Sequence, residues 1–376
     1  MSTVAHLSDI HYCAAHLDEI RACMDAAVAG VEQARPDAIV LSGDTFDRRL
    51  AQNEPAFLAA LRDVTRLADI APVIILQGTL SHDAPHSVDV FRTVRDIYVA
   101  DRIEQRAIAG ILWSFLPAVN KGNVAAAIGA ESASSSVLEL VGDVLAGFAR
   151  RNAEVAAAGQ PTVLVSHGTV TSAVTEHGVP MMGLDHEFTP GVLFAAGASA
   201  AMLGHIHKHQ HWSNGRGQCI AYPGSLGRYH FGEMDPKGWL LWDVRASYAA
   251  FQFMPTPARE LIDLEFAGPP DLGAIAKVAW QCKGAHVRVR WQVDEEHRHA
   301  VDRAAIERLL AGAAQVKLEG RINPVQRQRA AGIGAAVTLA DRLARWCEIT
   351  HTDAYPVLER LAALQSHTDD EIRRAL

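Results

Sequence analysis

The sequence predicts an α/β architecture: a two-sheet sandwich flanked by helices, then a small α/β domain, then C-terminal helices. Three features carry the prediction. Apolar runs of strand length alternate with helix-length amphipathic stretches as far as Pro255-Thr256-Pro257. Several of these runs end in polar turns bearing Asp or His, as expected where open α/β sheets gather ligands beyond the carboxyl ends of their strands. Past the prolines the order becomes strand, helix, strand, helix, strand, which sets boundaries at 1–257, 258–323 and 324–376.

Residues 3–8 read as the first strand. Leu17, Ile20, Met24, Ala27 and Val31 recur at helical spacing and mark the first helix. Ala38-Ile39-Val40-Leu41 is apolar throughout, as befits a strand buried on both faces. A helix over 54–68 precedes a strand from Pro72 to Leu76, and shorter strands follow at 97–99 and 111–116. Residues 121–135, rich in Ala, Gly and Ser, read as a loop before a helix over 136–151. Thr162 to Val165 is the next strand, and 218–222, 238–244 and 250–254 supply a second sheet. In the smaller domain, strands at 261–266, 286–293 and 316–322 alternate with helices at 271–279 and 300–313. There Val287, Val289, Trp291 and Val293 alternate with His286, Arg288, Arg290 and Gln292, so one face of that strand is expected to be basic.

Apolar residues make up 49% of the chain and charged residues 21%, which fits a soluble globular protein. No apolar run reaches the roughly 18 residues that a membrane span requires. A strand beginning at Val4 leaves no room for a signal peptide. The five cysteines, at 13, 23, 219, 282 and 347, form no C-x-x-C pair and are expected as reduced thiols, in the cytoplasm. A net charge of −8 gives no support to a protein that coats nucleic acid. Cations bound among carboxylates would, however, make the local field more positive than the formal charge.

Four segments carry the chemistry: Ser8-Asp9-Ile10-His11, Ser42-Gly43-Asp44-Thr45-Phe46-Asp47, Ser166-His167-Gly168 and Leu203-Gly204-His205-Ile206-His207. Two histidines one residue apart on a turn can send one imidazole to each of two neighbouring metal ions. Two cations about 3.5–4 Å apart need an anionic bridge between them. Asp44 is the natural bridge; Asp9 and His11 hold one ion, and His167 with His205 or His207 completes the shells. A mixed oxygen and nitrogen set suits manganese, iron or zinc better than magnesium or calcium. Such a pair clamps a phosphate, activates water and bears the charge of an in-line displacement. Asp47, three residues after the bridge, is placed to orient a ligand rather than to bind. Cys13 reads as a buried thiol.

These residues resemble the calcineurin-like metallophosphoesterase superfamily, whose pattern runs D-x-H, G-D-x-x-D, G-N-H-[DE], a histidine after a strand, and G-H-x-H. A narrower resemblance is to SbcD-type DNA repair nucleases. It is carried by the Ser42 to Asp47 segment, by Gly204-His205-Ile206-His207-Lys208-His209-Gln210, and by Tyr222-Pro223-Gly224-Ser225-Leu226-Gly227-Arg228 leading to Phe231-Gly232-Glu233. The resemblance covers residues 3–260. It implies a phosphodiesterase acting on DNA ends or hairpins, two divalent ions (manganese foremost), and an SbcC-type coiled-coil ATPase as partner. A small-molecule or nucleotide phosphoesterase with the same centre is one alternative, and a weakly active metal-binding regulatory subunit is another.

One motif departs from the pattern. Where G-N-H-D is expected the chain reads Gly78-Thr79-Leu80-Ser81-His82-Asp83, without the asparagine that ligates the second metal. His82 and Asp83 align with the family's catalytic histidine and the carboxylate that orients it. Ser81 then stands in the ligand's place, with Thr79 as the rival if Gly78 anchors the alignment. The resemblance implies that His82 protonates the leaving oxygen or steadies the phosphate as a cation.

Beyond residue 323, Leu339, Leu343 and Trp346 form one helical stripe, and Val357, Leu361 and Leu364 a second. Thr368 and Glu371 make a capping box before Ile372 and Leu376. Apolar helix faces must be covered. The resemblance implies the base of the ATPase coiled coil as the cover; packing on the smaller domain or in a homodimer are the alternatives.

Overall fold

The computed structural model describes residues 1–118, 137–175, 187–324, 333–368 and 371. The loop expected at 121–135, the start of the following helix at 136, and Ile372 and Leu376 lie outside the described residues. The first sheet contains β1 (Ser2–Leu7), β2 (Ala38–Leu41), β3 (Val73–Leu76), β4 (Ile97–Ala100), β13 (Gly238–Arg245) and β14 (Tyr248–Pro255). Its order is β14-β13-β1-β2-β3-β4, with β1 to β4 parallel and β13 antiparallel to β1. The second contains β5 (Glu104–Ile108), β6 (Ile111–Leu116), β7 (Thr162–His167), β10 (Ala200–Gly204), β11 (Gln210–Ser213) and β12 (Cys219–Tyr222), in the order β11-β12-β10-β7-β6-β5. Between β7 and β10 in sequence, β8 (Thr169–Val170) and β9 (Glu187–Phe188) form a two-stranded pair. This is the mixed α/β, two-sheet class that the sequence predicts.

Side-chain alternation sorts each strand between two apolar layers. Val4, Val40 and Ile74 of the first sheet share a core with Phe115, Val165 and Met202 of the second. Their neighbours Ala5, Ile39 and Ile75 point outward and pack on Ile20, Met24 and Val64. Those three come from α1 (Leu17–Ala34) and α2 (Pro55–Ala68). On the far side, Leu164, Leu203 and Ile220 pack with Leu145 and Leu193 of α3 (Val137–Ala157) and α4 (Pro190–Ala195). Central strands therefore have no polar face, which is why they read as unbroken apolar runs. α1 ends where Arg35 turns left-handed (φ 49°) just before Pro36, which cannot continue a helix. α2 begins with Pro55 in its first turn, where a missing amide proton costs nothing.

The chain separates into two compact units, Met1–Leu264 with Gly273–Arg288 and Glu307–Lys317, and Glu265–Leu272 with Val289–Ile306 and Leu318–Leu376. Segments of the 258–323 stretch thus contribute to both. A third sheet has the order β15 (Leu261–Phe266), β16 (His286–Asp294), β17 (Gln315–Asn323). Short helices α5 (Leu272–Val278) and α6 (Arg303–Leu309) lie between these strands in sequence. The basic strand face expected here does not survive folding. Arg288 forms a two-point ion pair with Asp263, at 2.8 and 2.6 Å, within the first unit. Arg290 reaches Glu265 at 3.0 Å and Glu319 at 3.3 Å within the second. Cross-strand carboxylates neutralise the arginines, and their positions cannot be read from β16 alone.

The second unit also holds α7 (Leu339–Thr350) and α8 (Ala354–Gln365). Thr338 caps the first by accepting from the Asp341 amide, and Asp353 caps the second by accepting from that of Tyr355. Leu339, Trp346 and Leu364 remain exposed, as does Tyr355. The Thr368 amide donates to Glu371 Oε2 at 2.8 Å, the return half of the expected capping box.

Candidate metal centre

The ligand-bearing turns all lie beyond the carboxyl ends of parallel strands. Asp9 and His11 follow β1, Asp44 follows β2, Thr79 follows β3, His167 ends β7, and His205 and His207 follow β10. The first two turns remain zipped together after their strands stop. The Asp9 amide donates to the Gly43 carbonyl, that of His11 to Asp44, and that of Tyr12 to Thr45, at 3.2, 3.1 and 2.9 Å. Asp9, His11, Asp44 and His205 all have positive φ, at 49°, 51°, 49° and 103°. Each such residue costs about 1–3 kcal/mol, so a folded chain keeps them only where the surroundings over-determine them. Those surroundings are tight. A Cβ on Gly78 would sit 2.2 Å from Asp44 Oδ1, and one on Gly204 would sit 2.3 Å from Ser8 Oγ and 2.4 Å from the Ser42 carbonyl oxygen. Glycine is required at both.

Ligand atoms converge in three overlapping triads, each with its atoms within 4.8 Å of one another: Asp9, His11 and His207; Asp44, His167 and His205; and His11, Asp44 and His82. His11 Nε2 and His207 Nε2 face each other at 3.0 Å. His167 Nδ1 donates to the Ser42 carbonyl at 2.8 Å, which turns Nε2 toward Asp44 Oδ2, 3.1 Å away. Both oxygens of Asp9 accept from the His205 amide, at 3.0 and 3.1 Å.

The electrostatics are those of a pocket short of positive charge. Burial raises the Asp9 carboxyl above its ordinary range, with Asp44 adding to the effect against the two histidines. Burial would raise Asp44 too, yet His167, His11 and His82 hold it well below the usual carboxylate range. His167 goes the other way: burial opposes its charge, but Asp44 and Asp9 hold it protonated, up to about 9. A proton on His167 thus does the work that a cation between the carboxylates would do, and metal binding would displace it. Burial and His207 push His11 well down, which leaves a neutral imidazole with a lone pair to offer. Two carboxylates and four imidazoles arranged in this way fit a pair of divalent ions with mixed oxygen and nitrogen ligation.

His207 is set by residues that sequence reasoning left unassigned. Its Nδ1 donates to Glu233 Oε1 at 2.9 Å, so Nε2 points into the cluster. Glu233 is fully buried, and its other oxygen accepts from the Tyr229 amide (2.9 Å) and from Lys237 Nζ (3.1 Å). Burial would raise Glu233, but His207 and Lys237 hold it well down and ionised. Lys237 also donates to the His207 carbonyl and to Ser225 Oγ, at 2.9 and 2.8 Å. The Tyr229 hydroxyl donates to the Ile10 carbonyl at 2.6 Å and so clamps the first ligand turn. Glu233 stands in a stretch notable for its resemblance, but nothing in its spacing signals that it returns to a histidine 26 residues earlier.

Two expectations for the departed motif are corrected. Asp83 does not orient His82. Its carboxylate accepts from the amides of Thr45, Phe46 and Gly78, at 3.2, 3.0 and 3.0 Å, and thereby ties the Asp44 turn to the one after β3. His82 Nδ1 meets the Asp47 backbone carbonyl at 2.6 Å instead. The residue beside Asp44 is Thr79 rather than Ser81. Thr79 donates to Asp44 Oδ1 from its amide at 2.7 Å and from its hydroxyl at 2.9 Å, whereas Ser81 is exposed and bonds only to Thr79 Oγ1, at 3.3 Å, among the described contacts. Gly78, which must pass against Asp44, anchors the register. Asp47 lies with its carboxylate 4.0 Å from His11 Nδ1, too far for a hydrogen bond. Cys13 is buried and lines the same cavity, of about 580 Å³, as His16, Arg48, His82 and His230.

A two-sheet sandwich with a His/Asp cluster at its strand ends suits metal-dependent phosphoester hydrolysis. The sequence model of the calcineurin-like phosphoesterase superfamily domain matches residues 3–246, and the chain belongs to that superfamily. No curated protein matches the chain. Among the described residues no helix is long and apolar enough to cross a membrane.

Proposed function

We propose that this phosphoesterase is a manganese-dependent DNA nuclease of the SbcD type, cleaving phosphodiesters at ends or hairpins in the cytoplasm alongside an SbcC-type coiled-coil ATPase. The observation that carries the reading is the fold-back of Tyr222 to Glu233, the stretch most particular to that resemblance. It walls the metal centre, with Tyr229 holding Ile10 and Glu233 holding His207. Asp44, Asp9, His11 and His207 would hold one ion, and Asp44, His167 and His205 the other. When bound, two such ions neutralise a phosphodiester and activate water. With Nδ1 committed to the Asp47 carbonyl, His82 presents Nε2 to the substrate, where it can hand a proton to the leaving oxygen. The exposed Leu339, Trp346, Tyr355 and Leu364 on α7 and α8 are the surface assigned to the ATPase.

A small-molecule phosphoesterase is the second reading. The neutralised Arg288 and Arg290 and the net charge of −8 favour it, because they remove an obvious duplex-binding face. Turnover of linear duplex and hairpin DNA, compared with p-nitrophenyl phosphate and cyclic nucleotides in added manganese, separates the readings. DNA cleavage is expected to dominate; efficient turnover of the small esters alone would establish the second. Metal uptake without turnover on any of them would point to a regulatory subunit. Cutting the chain after Asn323 is expected to leave manganese-dependent cleavage of short DNA and to abolish ATPase binding in co-purification. Retained binding would refute the assignment of α7 and α8.

A further inference from the structure

We infer that Thr79 makes the two metal positions unequal, so that one ion is resident and the other is exchangeable and completed by substrate. The inference rests on the binuclear reading of the site and concerns how it is loaded.

The first position is closed and braced. Asp9, His11 and His207, with Asp44 beside His11, would give an ion four protein ligands, and one of these, His207, is fixed through Nδ1 by the buried Glu233, itself held by Lys237 and the Tyr229 amide. A carboxylate behind a ligating imidazole fixes its tautomer and raises its basicity. The second position has Asp44, His167 and His205. Among the described residues of the turn after β3, Thr79 lies against Asp44 Oδ1, where a fourth donor to this position would stand, while His82 groups with Asp44 on the side of His11. Its hydroxyl is already engaged. It donates its proton to Asp44 Oδ1 and accepts from Ser81 Oγ. A neutral hydroxyl is a weaker ligand for a divalent cation than an amide carbonyl, and this one has one lone pair already in use. Thr79 therefore acts on the bridge, as a donor that pins Oδ1, and contributes little to the ion itself. Three protein ligands leave coordination positions open to water and to a phosphate oxygen, the arrangement expected of a catalytic rather than a structural site.

The test is calorimetric titration of the full-length, chelator-treated protein with manganese alone, with bound metal counted by elemental analysis after gel filtration. Wild type is expected to bind two ions in two resolved steps and to retain one through the column. Thr79→Asn is expected to tighten the weaker step and to retain two. Glu233→Gln is expected to weaken the tighter step by about 10–100-fold, the range for loss of a carboxylate behind a ligating imidazole, and to leave the weaker step in place. Two equal steps in wild type, or a Thr79→Asn protein with an unchanged isotherm, would overturn the inequality while leaving the binuclear reading intact. No manganese uptake by wild type would overturn both. Circular dichroism on each variant separates altered loading from misfolding.

Discussion

Asp44→Ala is expected to reduce metal-dependent phosphoester hydrolysis by about a thousandfold or more, the scale of several kcal/mol of lost transition-state stabilisation. Both ions should leave with it. Asp44 belongs to two of the three ligand triads, and its Oδ2 faces His167 at 3.1 Å while its Oδ1 is pinned by Thr79. Without it two cations would face each other with no charge between them. Asp44 sits at φ 49°, where Asn is tolerated better than Ala, so Asp44→Asn should fold as well as wild type and still lose activity. Metal content by elemental analysis and turnover on any accepted ester check the pair. An Asp44→Ala protein with full metal content and unchanged turnover would rule out the binuclear mechanism.

The largest stability effect is expected from Asp83→Ala. Three backbone amides that its carboxylate satisfies, those of Thr45, Phe46 and Gly78, would be left buried without partners. Stranded buried donors cost about 1–3 kcal/mol each, and partial relaxation should bring the total to about 3–5 kcal/mol. The loss should depend on pH in a definite direction. Burial and the nearby Asp44 carboxylate push Asp83 up to about 6, against the pull of the three amides. A carboxyl whose folded pKa is raised contributes stability that is complete below its unfolded pKa and is lost as pH rises through the folded one. The gap between wild type and Asp83→Ala should therefore be wider at pH 5 than at pH 8. Urea unfolding in the presence of chelator, at both pH values, measures it. A gap that widens toward pH 8 would mean that the ionised form is the one the site stabilises.

Much of this was legible in the sequence because the determining signals are local. Unbroken apolar strands followed by Asp-x-His, Gly-Asp and Gly-His-x-His turns bring the ligands to one edge, and Asp9, His11, Asp44, His167, His205 and His207 do converge there. What escaped depends on where distant backbone lies. That Asp83 serves amides and not His82 follows from the packing of two turns whose separation the sequence does not encode. That Thr79 and not Ser81 meets Asp44 follows from Gly78 passing so close that a Cβ there would lie 2.2 Å from Asp44. The pairing of Arg288 and Arg290 depends on acids brought alongside by neighbouring strands. The Glu233 and Lys237 brace of His207 is a tertiary return with no periodicity of its own.

The place of β1 in its sheet also bears on how the protein is made. β1 lies in the middle of the first sheet, bonded to β2 on one side and to β13 on the other. During synthesis it leaves the ribosome shortly before Ala38–Leu41, with which it pairs, and long before Gly238–Arg245. Its other edge stays bare until Gly238–Arg245 has been translated. Until then an apolar strand leading to the first candidate ligands presents an unpaired edge, open to adventitious pairing with other nascent chains. Premature termination upstream of Gly238 would leave that edge of β1 without its partner.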